Sequence, residues 1–278
     1  MSLFNFDLRN SRLVLAGAAL LLGGGVLGGG CGGGYDLSTI VGFCQAQAAA
    51  DCSLAIVSAC YGSSDSTIST DTDSCIAARS QINKCNPTGL PYHPEFADAC
   101  VAQHQAVFAN SQIDGPTFLT LRDACLPVFN RGNAQGAGCT DDSGCDVGGG
   151  LRCVIHAGKG TCQTPVAVGG GESCSQLAAQ CTDSQGSTDT FYCDSGNHCV
   201  TAGAGGDKCG SGEACGNGLR CNTSAKVCVN QASNGDPCTA NEDCAGGFCL
   251  GTGTASGGEC AATLTFAFGG STCQSFKR

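Results

Sequence analysis

Apolar and polar positions divide this chain into stretches with different periods. Leu13 to Leu27 is one apolar run, and the segment from Leu13 to Gly30 holds seven glycines, which weaken a helix. From Leu37 to about Asn130 the pattern is helical. Asp36 can cap a helix running through Leu37, Ile40, Val41 and Cys44 toward Cys52 and Cys60. Ser74 or Asp73 can cap a second, Cys75 to Lys84, that stops before Pro87. His93-Pro94 opens a third, to about Ala109, and Asp114-Gly115-Pro116 a fourth, ending near Pro127, since proline suits a first helical turn. Gly62 to Ser74 reads as a Ser/Thr/Asp loop. Phe43, Phe96, Phe108, Phe118 and Leu121 are the expected core. Near the far end, Leu264, Phe266 and Phe268 alternate with Thr265 and Ala267, the period of a strand with one buried face.

Composition argues against one large apolar core. The chain has no Trp, one Met, 6% aromatic residues and 44 glycines, so folding needs compensation for backbone entropy. Its 25 cysteines are the evident source. Disulfides at that density persist only in an oxidising compartment. Zinc fits poorly, because the shortest cysteine gap, Cys244 to Cys249, has four residues between the two and the histidines His93, His104, His156 and His198 are scattered.

Arg9 and Arg12 precede the apolar run, which ends in Gly28-Gly29-Gly30-Cys31, the layout of an export signal. A cysteine directly after small residues suggests a bacterial lipoprotein signal with Cys31 as the acylated N-terminus. Removing Cys31 from 25 leaves 24, an even set. Gly28 stands where a lipobox has Leu, so cleavage by an ordinary signal peptidase and an uncleaved anchor remain competing readings. Removal of residues 1–30 takes away Arg9, Arg12 and Asp7, so the formal charge moves from −10 to −11. Such a surface excludes nucleic acid as an expected partner and is not drawn to anionic lipid.

From Gly136 onward a cysteine repeat replaces helical spacing. Glycine stands three residues before a cysteine at Gly136, Gly171, Gly206 and Gly235. Each marked cysteine opens a set of four: Cys139, Cys145, Cys153 and Cys162; Cys174, Cys181, Cys193 and Cys199; Cys209, Cys215, Cys221 and Cys228; Cys238, Cys244, Cys249 and Cys260. Leu151, Tyr192, Leu219 and Phe248 sit just before the third cysteine, and Gly-Leu-Arg-Cys occurs twice, at Gly150 to Cys153 and Gly218 to Cys221. Tandem modules follow, each too small to own a core. The unit resembles the Dickkopf-type N-terminal cysteine-rich repeat. An all-helical cysteine domain followed by such repeats behind a lipoprotein signal is similar to secreted lipoproteins of some Gram-negative gliding bacteria. The second copy departs from the motif, with eleven residues between Cys181 and Cys193 and no Gly-Leu. This resemblance implies location and architecture, not a reaction.

Within each module three pairings are open, and spacing alone does not choose. First-to-third with second-to-fourth is expected, because crossed bridges tie both ends of a coreless unit. The helical half holds Cys44, Cys52, Cys60, Cys75, Cys85, Cys100 and Cys125, an odd number, and Cys273 is left over beyond the modules. Residues 262–273 are therefore expected to fold back and bridge Cys273 to that half, with Cys125 the first choice. The expected fold is small and disulfide-rich: a signal (1–30), a Gly-rich tether (31–35), an all-α disulfide-stapled domain (36–131), four tandem four-Cys modules with short β-hairpins (136–260) and a returning C-terminal strand (261–278).

Catalytic signatures are missing: no G-x-S-x-G, H-E-x-x-H or P-loop occurs, and Gly251-Thr-Gly253 only begins a dinucleotide fingerprint. The acidic groups Asp71/Asp73, Asp141/Asp142/Asp146 and Glu242/Asp243 lack EF-hand spacing. Asn222-Thr-Ser224 matches a glycosylation acceptor, read here as turn chemistry. The expectation is a non-enzymatic, exported, lipid-anchored outer-membrane or surface protein, without cofactor, that binds a protein or glycan or serves structure. One alternative is an envelope hydrolase using His93, Glu95, Asp98 and His104. Another is a protease-inhibitor-like ligand with a loop at Ala202 to Gly206 or Leu250 to Gly258.

Overall fold

The computed structural model describes residues 34–64, 66–86, 89–156, 159–176, 178–182, 191–194, 196–210, 213–250 and 258–277. The expected signal and Cys31 lie outside these residues. Thr39 caps helix α1 (Ile40–Asp51) by accepting the Gly42 N–H at 3.1 Å. The single helix expected through Cys60 is two helices. Ser53 accepts the Ile56 N–H, so its hydroxyl caps α2 (Leu54–Tyr61), which leaves α1 at 66°.

Helix α3 (Ile68–Arg79) begins inside the segment expected to be loop, and α4 (Ile82–Cys85) is separate, so the expected Cys75–Lys84 helix straddles two. Thr72 and Ser74 donate their hydroxyls back to the carbonyls of Ile68 and Thr70, bonds that satisfy the side chains but add no helix stability. Packing of α3 against α1 and α2 supplies what propensity does not. A 3-10 turn (Pro94–Phe96) leads into α5 (Ala97–Val107), and α6 (Gly115–Cys125) is capped by Asp114. Strand β1 (Gln112–Asp114) runs into α6, so this half is not purely α.

Two apolar clusters hold the helices. Phe43, Val101 and Val128 pack in one, with the Phe43, Tyr92 and Phe129 rings 5.5–5.7 Å apart. Ile56, Val57, Phe108, Ile113, Phe118 and Leu121 form the other. Of the expected core, only Phe96 is part-exposed.

The first four-cysteine unit contains β2 (Gly138–Cys139), β3 (Arg152–His156) and β4 (Lys159–Gln163), in sheet order β2-β4-β3. The second contains β5 (Val166–Val168), β6 (Ala179–Cys181), β7 (Phe191–Cys193) and β8 (Cys199–Thr201). The third has the hairpin β9 (Leu219–Asn222) and β10 (Val227–Asn230). The fourth has β11 (Pro237–Cys238), β12 (Phe248–Leu250) and β13 (Gly258–Ala261), ordered β11-β13-β12.

One hydrogen-bond plan recurs in all four. The N–H of Gly136, Gly171, Gly206 and Gly235 donates to the carbonyl of the fourth cysteine at 2.7–2.8 Å. All four glycines have φ between +81° and +91°, a region that a side chain disfavours. The residue six places before each first cysteine (Asn133, Val168, Gly203, Ala232) runs parallel to the second cysteine. Each unit thus incorporates the connection that enters it.

A second glycine requirement is steric. A Cβ on Gly160 would lie 2.3 Å from the Cys139 carbonyl oxygen, whereas one on Gly136 would meet nothing within 4 Å. Gly160→Ala should therefore cost clearly more than Gly136→Ala, which carries only the left-handed penalty of about 1–2 kcal/mol. Guanidinium midpoints of the two variants give the order, and a reversed order would contradict the packing described.

Strand β14 (Thr263–Thr265) pairs antiparallel with β1, placing Leu264 opposite Ile113. Leu264 and Phe266 are buried as the alternation requires, but Phe268 is 72% exposed. The strand ends first, because Gly269 (φ +76°) and Gly270 turn the chain into α7 (Ser271–Phe276). Helix α7 buries Cys273 and Phe276 in the Phe108 cluster, where Phe248 of the fourth unit also packs on Phe118 with ring centroids 5.6 Å apart.

Candidate functional site

The covalent framework is the most extensive arrangement of chemistry-bearing residues. Twelve disulfides join 24 cysteines. In the four units first joins third and second joins fourth: Cys139–Cys153 and Cys145–Cys162, Cys174–Cys193 and Cys181–Cys199, Cys209–Cys221 and Cys215–Cys228, Cys238–Cys249 and Cys244–Cys260. Third and fourth cysteines face each other across every hairpin yet belong to different bridges, so each hairpin is tied from two sides. Disulfides at this density belong to an extracellular or otherwise oxidising environment.

In the helical half the pairs are Cys44–Cys85, Cys52–Cys75 and Cys100–Cys125. Cys273 bonds to Cys60, not to Cys125. Closeness along the chain was the wrong guide: Cys125 ends α6, which packs along α5 and meets Cys100, while α7 docks on α2. Since the bridges use every cysteine from Cys44 to Cys273, Cys31 has no intramolecular partner left.

A buried polar cluster lies among α1, α3 and α5. Asp51 Oδ1 is 2.6 Å from His104 Nδ1, and Asp51 Oδ2 accepts from Arg79 Nη2 at 2.7 Å and Nε at 3.2 Å. Gln47 Nε2 is 3.1 Å from His104 Nε2, and the imidazole stacks on Phe108. The Arg79 guanidinium also covers the Phe276 ring at 4.1 Å, a cation–π contact that ties the cluster to the C-terminus. Burial pushes the Asp51 carboxyl up, but the charges and hydrogen bonds of His104 and Arg79 outweigh it and hold the group below its ordinary value. Asp51 went unnoticed in the sequence, though its spacing of seven from Cys44 on one helix puts it on the same inward face.

The four residues of the hydrolase alternative have different partners. His104 turns to Asp51, whereas His93 Nδ1 is 3.6 Å from Glu95 and its Nε2 is 3.3 Å from the Asn130 carbonyl; Asp98 is exposed. Ring nitrogen and sulfur atoms of His104, Cys100 and Cys125 lie within 4.8 Å of one another, but the two sulfurs form one disulfide and offer no thiolate ligand.

The acidic groups mostly close turns. Asp71 accepts from Ser63, Asp141 and Asp146 from the N–H groups of Ser143 and Gly149, and Asp142 from the Cys153 N–H. Asp243 accepts from Thr239 and Ala240 and sits 3.4 Å from Arg220 of the preceding unit. The Glu242 side chain lies outside the described residues. Asn222 accepts from Ser224 and Ala225 N–H in a turn. Of the two inhibitor-like loops, Ala202 is buried and Gly203 is bridged to Cys215, while residues 251–257, including the Gly251-Thr-Gly253 motif, lie outside the described residues. No family model, curated protein or solved structure matches the chain.

Proposed function

We propose that this protein is an exported, lipid-anchored surface protein whose disulfide framework presents small cysteine units as a binding or structural module, without catalysis. One observation carries the reading. Twelve bridges use the 24 cysteines from Cys44 to Cys273, and the one remaining cysteine of 25 directly follows the apolar run and Gly28-Gly29-Gly30. A lipid on Cys31 accounts for it without leaving an exposed free thiol in an oxidising compartment. By the bacterial sorting rule that the lipoprotein resemblance brings, Gly32 in second position favours the outer membrane over retention in the inner one. The ligand class we propose is a protein or glycan.

The test is expression in a bacterial host followed by intact-mass measurement of membrane-extracted protein. Diacylglyceryl mass on an N-terminal Cys31 is expected, precursor should accumulate under globomycin, and Cys31→Ser should release the protein from membranes. Membrane retention of the Cys31→Ser protein would replace the lipid with an uncleaved anchor.

A further inference from the structure

We propose that the surface around Tyr35, Val41 and Ile82 rests on the bilayer to which Cys31 is anchored; this rests on the lipid anchor proposed above. Chain length sets the constraint. Only Gly32 and Gly33 lie between Cys31 and Gly34, where the described chain begins, and three Cα steps span at most about 11 Å. Whatever surface surrounds Gly34 must therefore lie close to the lipid headgroups.

Beside the exposed Asp36 and Ser38, three apolar side chains are exposed on this entry segment and on the helices α1 and α4. Tyr35 is 42% exposed, Val41 49% and Ile82 45%. The backbone ties the segments that carry them. The Asp36 carbonyl lies over the first turn of α1, so close that a Cβ on Gly42 would be 2.1 Å from its oxygen. Tyr35 and Val41, each one residue earlier, are thereby drawn to the same end of the helix. The Tyr92 hydroxyl, donating to the Leu37 carbonyl at 2.5 Å, fixes this entry segment to the body. Val41 precedes Cys44 by three residues and Ile82 precedes Cys85 by three, and the Cys44–Cys85 bridge holds those two cysteines with Cα atoms 5.6 Å apart.

An exposed tyrosine and exposed aliphatic side chains suit the headgroup boundary, where the ring body is buried and the hydroxyl stays wet. The acidic chain gains nothing from anionic lipid, so a zwitterionic surface suffices. The largest competing exposed apolar side chain, Phe268, lies over Gly62 at the end of α2. Twelve residues of α1 and eight of α2 at 66° put that point about 25 Å from the start of α1.

The chain contains no tryptophan, so one introduced indole is an unambiguous reporter. Tyr35→Trp, Val41→Trp, Ile82→Trp and, as the distant control, Phe268→Trp are prepared as lipidated protein. Each is reconstituted in phosphatidylcholine vesicles with and without bromine near the headgroup end of the acyl chains. The expected result is at least twofold quenching by brominated lipid at positions 35, 41 and 82, and little at 268. Lipidated protein that shows no quenching at all three sites, or equal quenching at 268, overturns this inference and leaves the anchor standing. Intact mass without lipid on Cys31 overturns the anchor and this inference with it.

Discussion

Double substitution Cys60→Ala/Cys273→Ala should lower unfolding stability by about 3–5 kcal/mol and loosen the C-terminal segment. This bridge spans 213 residues, the longest closure in the chain, although the bridges within it shorten the effective loop. Beyond the covalent tie, the three-residue pairing of β14 with β1, the stacking of Arg79 on Phe276 and of Lys277 on Tyr61, and the burial of Leu264, Phe266 and Phe276 hold the segment. Each of those side chains contributes about 1.5–3 kcal/mol by burial, so the segment should dock weakly rather than detach fully. Replacing both cysteines avoids a free thiol that could reshuffle neighbouring bonds. Guanidinium midpoints and limited proteolysis between residues 262 and 270 report the two effects. Unchanged stability with unchanged protection would mean that the bridge closes nothing that packing does not already close.

The crossed pairing was open to a reading of the sequence because it follows from the lack of a core, not from spacing. A unit with four cysteines and no core has few ways to tie both ends, and the glycine before each first cysteine marks a left-handed turn that recurs with it. The partner of Cys273 was not legible in the same way. Parity required a partner in the helical half, but which one depends on how α2, α5, α6 and α7 pack, and that is set by Phe108, Phe118 and Phe276 rather than by distance along the chain.

Two other features were hidden for different physical reasons. Helix α3 is rich in Ser, Thr and Asp, and buries Cys75 alone among its residues, so its helicity comes from its neighbours and not from its own pattern. Strand β1 is three residues long and exists because β14 returns to it, a contact about 150 residues away in sequence. The Asp51 cluster was obscured by the assumption that charged residues in an acidic chain face solvent. Its members come from three helices, and only their packing makes them one unit.

That unit gives the second large effect. Asp51→Asn should destabilise the protein by about 3–5 kcal/mol at neutral pH, because Arg79 loses its charged partner in a largely buried setting and the amide keeps an acceptor oxygen toward only one of Arg79 and His104. The substitution is nearly isosteric, so the loss reports charge and hydrogen bonding rather than a cavity. Its pH dependence follows from the direction of the Asp51 shift. The folded carboxyl titrates below its ordinary value, so its contribution is fully present above the unfolded value of about 3.9 and is lost as pH falls through the lower folded value. Parent and variant should therefore differ most near pH 7 and converge as the solution is acidified below about pH 4. Urea midpoints of both proteins between pH 2.5 and 7 measure this. Parallel curves across that range would show that Asp51 does not titrate against the fold. Equal stability at pH 7 would show that the contacts to His104 and Arg79 only offset the cost of burying the carboxylate. Convergence together with a large neutral-pH gap would identify this triad, rather than the exposed carboxylates of the modules, as an acid-sensitive joint between the helices and the returning C-terminus.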